Sequence, residues 1–87
     1  MGRESVIVTL YSRDGCHLCD EARAELQGFD GIELRELDID ADEALLRTYL
    51  ERIPVVEIDG RIVSELVFDR DAFTEALHTV RPWGNEP

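Results

Sequence analysis

The chain has 87 residues, which is enough for one small domain and leaves no room for a second core. Nine Lys and Arg residues stand against twenty Asp and Glu residues, and the resulting net charge of −11 repels phosphate backbones and anionic membranes. We therefore expect neither a nucleic acid nor a membrane as a partner, and the hydrophobic content of 44% argues against disorder.

The N-terminal segment does not have the pattern of a targeting or membrane sequence. Its apolar run is short and lacks a small-residue cleavage site, so it does not predict a signal peptide. No segment reaches the roughly 20 apolar residues that a membrane span needs. We expect a cytoplasmic protein, and in that compartment a close cysteine pair is more often catalytic or metal-binding than a structural disulfide.

The first part of the chain predicts a strand, a helix and a second strand. Residues 5–11, SVIVTLY, are apolar and β-branched almost throughout, which is typical of a strand buried on both faces. Residues 18–29 have a helical apolar stripe that ends at the glycines after it. The members of this stripe are Leu18, Ala22 and Leu26. Residues 32–39, IELRELDI, alternate imperfectly and are predicted as a strand.

A second helix and a hairpin follow. Residues 40–52 predict a helix capped by Asp40 or Asp42. Its inward-facing residues are expected to be Ala44, Leu45, Leu46 and Tyr49. Residues 53–67 then predict two short strands joined by Asp59-Gly60, a strong hairpin signal.

The last predicted element is a helix over residues 69–80, with Asp69 as its N-cap and a breaker-rich tail, 81–87, that should fray. The apolar face of this helix comprises Ala72, Phe73, Ala76, Leu77 and Val80. The order β-α-β-α-β-β-α predicts an α/β fold, in which a parallel crossover and an antiparallel hairpin build a four-stranded mixed sheet with helices on both faces. The whole chain, 1–87, is expected to be one domain with its core over about 5–80.

The only two cysteines, Cys16 and Cys19, lie where the first strand ends and the first helix begins. The N–H groups and the dipole at a helix N-terminus stabilise an anion, so they favour a thiolate at Cys16. Cys19 follows on nearly the same helical face, so the two sulfurs can meet. This arrangement predicts a redox pair, in which the outer thiolate attacks a substrate disulfide and the inner thiol resolves the mixed disulfide.

Other roles for the cysteines fit less well. A zinc site needs four ligands, or three and a water, and only His17 and His78 could join the pair. We expect His17 to point away, and we predict no metal. A structural staple is weak because the loop it closes is very short. A protonated His17 would favour the Cys16 thiolate while its acidic neighbours oppose it, so both a tuning role and a passive exposed role for His17 remain open.

These residues resemble the glutaredoxins and thioredoxins. The segment LYSRDGCHLC is similar to the glutaredoxin opening, and Ile53-Pro54 stands just before the hairpin as in that fold. The likeness covers roughly residues 5–80 and is closest in kind to the small acidic glutaredoxin-like proteins of bacteria. It implies a thioredoxin-like (glutaredoxin) fold and a thiol–disulfide oxidoreductase of cell redox homeostasis and electron transport. It also implies that Pro54 is cis and faces the cysteines, which leaves the backbone of Ile53 free to pair with a substrate.

The chain departs from the glutaredoxin pattern where that family holds glutathione. Ser64 and Glu65 stand in place of a Gly-Gly pair, and Glu65 adds a negative charge that only Arg13 and Arg61 could offset. Arg13 is near a basic position of the family and could hold a substrate carboxylate, although a solvated charge is equally expected. Glutathione is therefore expected to be at most a weak co-substrate, and no bound cofactor is implied.

The sequence as a whole predicts a monomeric oxidoreductase that acts on a disulfide-containing protein or small molecule and is recharged by a thiol reductant. Two alternatives remain open. One is a thioredoxin-fold adaptor whose cysteines are redox-active only incidentally. The other is a metal or cluster site that bridges two subunits.

Overall fold

The computed structural model describes residues 5–80, so the predicted frayed tail lies outside the described residues. The elements are β1 (Val6–Ser12), α1 (His17–Leu26), β2 (Ile32–Asp38), a short 3-10 helix (Ile39–Ala41), α2 (Glu43–Tyr49), β3 (Val55–Ile58), β4 (Arg61–Glu65) and α3 (Arg70–Val80). Their order confirms the predicted β-α-β-α-β-β-α sequence of elements.

The four strands form one mixed sheet in the order β2-β1-β3-β4. Strand β1 pairs in parallel with β2, which requires the crossover through α1, and it pairs antiparallel with β3. The β3–β4 hairpin completes the sheet. Strands β1 and β3 are therefore central, and β2 and β4 are its edges. This sheet confirms the predicted fold class.

Helices cover both faces of the sheet, as predicted. Helices α1 and α3 pack over the larger core, whose buried residues are Val6, Val8, Leu10, Ala22, Leu26, Val56, Ile58, Phe73 and Leu77. Helix α2 covers a smaller core on the other face, formed by Tyr11, Ile39 and Val55 with Leu45, Leu46, Tyr49 and Ile53. Because α2 has only seven residues, Ile7 and Thr9 of β1 are half-buried and not fully buried as predicted.

Two turn signals of the sequence are confirmed. Asp59 and Gly60 have φ values of 50° and 87°, and a two-residue hairpin turn of the I′ type requires positive φ at both positions. The carboxylate of Asp69 accepts a hydrogen bond from the N–H of Ala72 at 3.0 Å, so Asp69 caps α3 as predicted.

The buried faces of the first two helices differ from the prediction. Leu18 is 40% exposed, and the buried face of α1 is formed by Cys19, Ala22 and Leu26. Cysteine behaves as a small hydrophobe, and with Cys19 buried the spacing i, i+3, i+7 replaces i, i+4, i+8. Leu18 consequently points outward.

Of the two predicted caps of α2, Asp40 and Asp42, the structure uses Asp42. Asp42 accepts hydrogen bonds from the N–H groups of Ala44 at 2.8 Å and Leu45 at 3.3 Å, which starts the helix at Glu43. Ala44 then lies exposed in the first turn instead of facing inward.

Candidate redox site

A tight turn after β1 delivers the first cysteine. The N–H of Cys16 donates to the carbonyl of Arg13 at 3.2 Å, and Gly15, the third residue of this turn, has a φ of 81°. A type II turn requires a positive φ at this position, which glycine adopts without strain. The segment Arg-Asp-Gly-Cys therefore places Cys16 at the start of α1.

Cys16 is the N-cap residue of α1. Its backbone is extended, with φ −92° and ψ 105°, and its Sγ accepts a hydrogen bond from the N–H of Cys19 at 3.1 Å. A thiolate at this position would receive the same N–H together with the positive end of the helix dipole. The structure thus confirms the predicted position of Cys16 at the strand-to-helix junction.

The two cysteines form a disulfide with a Cα–Cα distance of 5.2 Å, within the usual range for such bonds. Their exposure differs strongly. Cys16 is half-buried at the surface, whereas Cys19 is fully buried against the core. In the open dithiol, Cys16 would be the sulfur that a substrate can reach, and Cys19 would be shielded by its own helix.

The sheet register brings two further segments to the same end of the molecule. Tyr11 pairs with Val55, and Val55 pairs with Glu65, so the segments before β3 and after β4 lie beside the end of β1 that leads to Cys16. The Ile53–Pro54 bond is cis, as the resemblance implied. The N–H of Leu66 donates to the carbonyls of Pro54 and Arg52, each at 3.0 Å, which joins the segment after β4 to the proline.

The backbone of Ile53 is not free in the way that was predicted. Its N–H donates to the carbonyl of Tyr49 at 3.1 Å. An extended substrate could therefore add to this segment only through the carbonyl, or by displacing that bond. The prediction of a free Ile53 backbone is wrong for the N–H, because the last turn of α2 uses it.

The arginines near this end of the sheet already have carboxylate partners. Arg13, predicted to hold a substrate carboxylate, pairs with Asp40 through Nε at 3.0 Å. Arg52 pairs with Glu65 through Nη2 at 2.5 Å, and its guanidinium lies 5.4 Å from the centre of the Tyr49 ring. Arg61 was expected to offset Glu65, but it lies beside the hairpin turn at the opposite end of β4.

Sequence reasoning missed Arg52. It stands two residues before Pro54, and it comes to lie beside the end of β4 because Val55 pairs with Glu65 in the sheet. Hydrogen bonding between the two side chains raises the pKa of Arg52 and lowers the pKa of Glu65. Glu65 therefore remains ionised and neutralises Arg52.

Ser64 has a structural role that the comparison with a Gly-Gly pair did not predict. Its side chain is buried, its Oγ accepts a hydrogen bond from the N–H of Asp69 at 3.0 Å, and it donates to the carbonyl of Val67 at 3.3 Å. These two bonds fix the loop between β4 and α3. Within that loop, Leu66 and Val67 are 52% and 62% exposed, so they are apolar surface beside Pro54.

A set of hydrogen-bonded side chains connects α1 to β2 beside the turn of residues 13–16, here called the cysteine turn. Arg23 donates to both carboxylate oxygens of Glu36, at 2.8 and 2.5 Å, and to Asp20 at 2.9 Å. Ser12 donates to the same Glu36 carboxylate at 2.6 Å. The bond from Arg23 is the main reason that the pKa of Glu36 lies below its usual value. An open cleft of about 350 Å³ adjoins this group, lined by Ser12, Arg13, Asp14, Gly15, Asp20, Arg23, Glu36 and Asp38.

The aromatic pair Tyr11 and Tyr49 lies in the same apolar cluster as Ile53, the residue before Pro54. Their rings stack with centroids 4.4 Å apart, and the hydroxyl of Tyr11 donates to Glu57 at 3.2 Å. Burial, followed by the charge of Glu57, raises the pKa of Tyr11 to about 12. Tyr11 therefore stays neutral at physiological pH, and it packs and donates a hydrogen bond.

The two histidines are not gathered with the cysteines. His17 is highly exposed and its Nε2 lies 2.9 Å from a carboxylate oxygen of Glu21 on the outer surface of α1. His78 is exposed in the last turn of α3. Over residues 5–80, no group of three or more His, Cys, Asp and Glu side chains is placed to hold a metal ion. Nor is any helix in this part of the chain long and apolar enough to cross a membrane.

The fold and the disulfide together define a glutaredoxin-like protein of the thioredoxin fold. A mutant thioredoxin from Halobacterium salinarum is 24% identical, with a TM-score of 0.56 over 87% of this chain and 74% of that chain. At this identity the likeness concerns the fold alone. The chain matches the family described as glutaredoxin-like domain (DUF836) over residues 7–78, and it belongs to that family.

Two solved structures are more similar in sequence. Protein Ne2328 from Nitrosomonas europaea is 30% identical, with a TM-score of 0.75 over 87% of this chain and 95% of that chain. Protein XcR50 from X. campestris is 35% identical, with a TM-score of 0.66 over 85% of this chain and 99% of that chain. No curated protein matches the chain significantly. The family and the fold of this chain are therefore established.

Proposed function

We propose that this protein is a thiol–disulfide oxidoreductase whose Cys16–Cys19 pair cycles between disulfide and dithiol. The observation that carries the proposal is the asymmetry of the pair. Cys16 caps α1 at the surface, with an N–H donated to its sulfur, whereas Cys19 is buried one helical turn further on. A helix N-terminus lowers the pKa of a thiol, and the thiolate is the form that attacks disulfides.

The reaction proceeds in two exchanges. In the reduced protein, the Cys16 thiolate attacks one sulfur of a substrate disulfide, which forms a mixed disulfide and expels the other sulfur as a thiolate. The Cys19 thiol then loses its proton to solvent and attacks Sγ of Cys16. This step releases the second substrate thiolate and restores the Cys16–Cys19 disulfide. Two electrons pass from the protein to the substrate, and an external thiol reductant returns them to the protein.

The wider assignment also belongs to this proposal. The substrate class is a disulfide in a protein or small molecule, and the cytoplasmic location expected from the sequence remains a prediction. Glutaredoxin-like family membership and the short Cys-x-x-Cys spacing support this function over an adaptor with incidental redox activity.

Single-cysteine variants test the division of roles. We expect the wild-type protein to speed the reduction of hydroxyethyl disulfide by dithiothreitol, and Cys16→Ser to abolish this activity. Cys19→Ser should still attack once and accumulate a mixed disulfide at Cys16, which intact-protein mass spectrometry detects. The matched control is the double Cys16→Ser, Cys19→Ser variant, which should form no adduct.

Two results would contradict the proposal. One is a Cys16→Ser variant as active as the wild type, which would remove the assigned nucleophile. The other is a wild-type protein that does not exchange with any disulfide, even though both cysteines can be reduced. If the double Cys16→Ser, Cys19→Ser variant still forms a stable complex with a protein partner, this result would favour the adaptor function.

A further inference from the structure

Three arginines around the redox site form ion pairs with carboxylates of the same chain. Arg13 is paired with Asp40, Arg23 with Glu36 and Asp20, and Arg52 with Glu65. The cleft beside the cysteine turn adds further acid, since its lining includes four carboxylates, those of Asp14, Asp20, Glu36 and Asp38, against the two guanidinium groups of Arg13 and Arg23. An anionic substrate approaching this end of the molecule therefore meets satisfied arginines and an excess of negative charge.

The Arg52–Glu65 pair is the one most closely tied to the proline segment. Arg52 precedes Ile53–Pro54, and the backbone carbonyls of Arg52 and Pro54 both accept the N–H of Leu66, the residue that follows Glu65. The Tyr49 ring lies against the guanidinium. Both side chains of the pair remain 37% exposed, so Arg52 could reach a substrate carboxylate if Glu65 did not hold it.

We propose that Glu65 determines the charge specificity of the exchange reaction, because it occupies Arg52 and so withholds that cation from a substrate or reductant carboxylate. The protein should then exchange with neutral and cationic disulfides faster than with anionic ones. This inference rests on the proposed oxidoreductase function. Glu65 acts on the approaching molecule and takes no part in bond-making.

The charge of the substrate acts in one step, the attack of the Cys16 thiolate on the substrate disulfide. The Cys16 thiolate and a disulfide RS–SR give the mixed disulfide Cys16–S–SR and the thiolate RS⁻, whatever the charge of R. A charge on R therefore changes the encounter with the site and the stability of the mixed disulfide. Interactions between exposed charges weaken as salt shortens the Debye length, so the charge preference should shrink at high ionic strength.

The test compares small disulfides of similar size and different charge. The probes are cystamine, which is cationic, hydroxyethyl disulfide, which is neutral, and dithiodipropionate, which is anionic. The second-order rate constant with the reduced protein is measured for each by quenched-flow thiol titration. For the wild type we expect the order cationic, neutral, anionic, from fastest to slowest.

Glu65→Gln keeps the size of the side chain, removes its charge and releases Arg52. It should raise the ratio of the anionic to the neutral rate constant about fivefold, the size of one unit-charge interaction at contact distance in water. Arg52→Gln should lower the same ratio, because Glu65 is then left unpaired. In the double variant Arg52→Gln, Glu65→Gln, most of the rise in the anionic-to-neutral ratio should be lost. This loss would show that Glu65→Gln acts by releasing Arg52 and not simply by removing a negative charge.

Glu75→Gln is the matched control, since it changes the net charge by the same amount on the exposed surface of α3. The inference is overturned if Glu65→Gln changes the anionic-to-neutral ratio no more than Glu75→Gln does while the neutral probe still reacts. If the neutral probe fails to react with any reduced variant, the oxidoreductase function itself is wrong. Circular dichroism of each variant checks that the fold is kept. If Glu65→Gln is unstable, the fall in the anionic-to-neutral ratio expected for Arg52→Gln tests the inference independently.

Discussion

At the scale of single residues, Ser64 has a structural role at a position where the resemblance to glutaredoxins suggests glycine. The buried hydroxyl of Ser64 accepts a hydrogen bond from the N–H of Asp69 and donates one to the carbonyl of Val67, which a glycine could not do. Replacing Ser64-Glu65 with Gly-Gly would therefore change both the loop and the charge at once. Glu65→Gln changes the charge alone.

Ser64→Ala should lower the free energy of unfolding by about 1–3 kcal/mol, because it leaves an N–H and a carbonyl of the loop without their partner in a part-buried position. Urea unfolding of the oxidised protein measures the change. Thr79→Ala is a suitable control, since its hydroxyl donates to the carbonyl of Glu75 in its own exposed helix turn. An equal effect of the two substitutions would mean that the Ser64 bonds add nothing.

At the scale of elements, a polar contact between α1 and β2 adds to the apolar packing of the cysteine helix on the sheet. Arg23 of α1 binds both oxygens of Glu36 on β2, and Ser12 at the end of β1 binds the same carboxylate. Three elements that meet at the cysteine turn thus share one carboxylate. Paired donors of this kind hold a carboxylate more firmly than single contacts, and they lower its pKa.

This contact predicts a loss of stability in acid. The pKa of Glu36 is lowered in the folded state from an ordinary value of 4.5, so the stabilisation is present above that pH and is lost as the pH falls through the lower folded value. Glu36→Gln should cost about 1 kcal/mol at neutral pH, since the side chain is one-third exposed and such pairs are screened by solvent. Its unfolding free energy should also fall less steeply below about pH 4.

Urea unfolding at a series of pH values checks this prediction. Glu33→Gln is the control, because Glu33 lies on the same strand, is more exposed and pairs with the neighbouring Arg35. If both variants show the same pH dependence as the wild type, Glu36 does not link protonation to folding.

Local signals were sufficient for the hairpin at Asp59-Gly60, the cap at Asp69 and the position of Cys16, because each depends on the backbone of a few neighbouring residues. The prediction that Leu18 is buried is wrong. Which face of α1 is buried depends on which residues pack into the core, and Cys19 packs there instead of Leu18.

The partner of Glu65 could not be predicted for a different reason. Arg61 is closer in sequence, but a strand rises about 3.3 Å per residue, which carries Arg61 to the far end of β4. Arg52 reaches Glu65 through strand pairing, and register is a long-range property that local patterns do not contain.

At the scale of the whole molecule, the net charge of −11 opposes folding through self-repulsion, while the ion pairs support it. Most of these pairs are exposed, and such pairs contribute only about 0–1 kcal/mol each. Screening should therefore weaken the repulsion more than it weakens the pairs.

We accordingly expect the urea midpoint to rise when sodium chloride increases from about 0.01 M to about 0.15 M, a change that shortens the Debye length from about 30 Å to about 8 Å. Chloride is preferred to sulfate, because sulfate also strengthens apolar burial. The matched control is a variant with several exposed acids replaced by their amides away from the cysteine site, whose salt response should be smaller. A midpoint that falls with salt would show that the pairs outweigh the repulsion.

The two edges of the sheet have a consequence for how the protein behaves in a crowded solution. Unpaired edge strands can recruit strands of neighbouring molecules and begin aggregation. Along the β2 edge, four of seven residues are acidic or basic, and Glu33 and Arg35 are exposed there. At the β4 edge, the register shift between Val56 and Glu57 interrupts the pairing of the hairpin, and such irregularities increase local twist. Charge on one edge and distortion on the other therefore discourage copies of this molecule from stacking into a continuous intermolecular sheet.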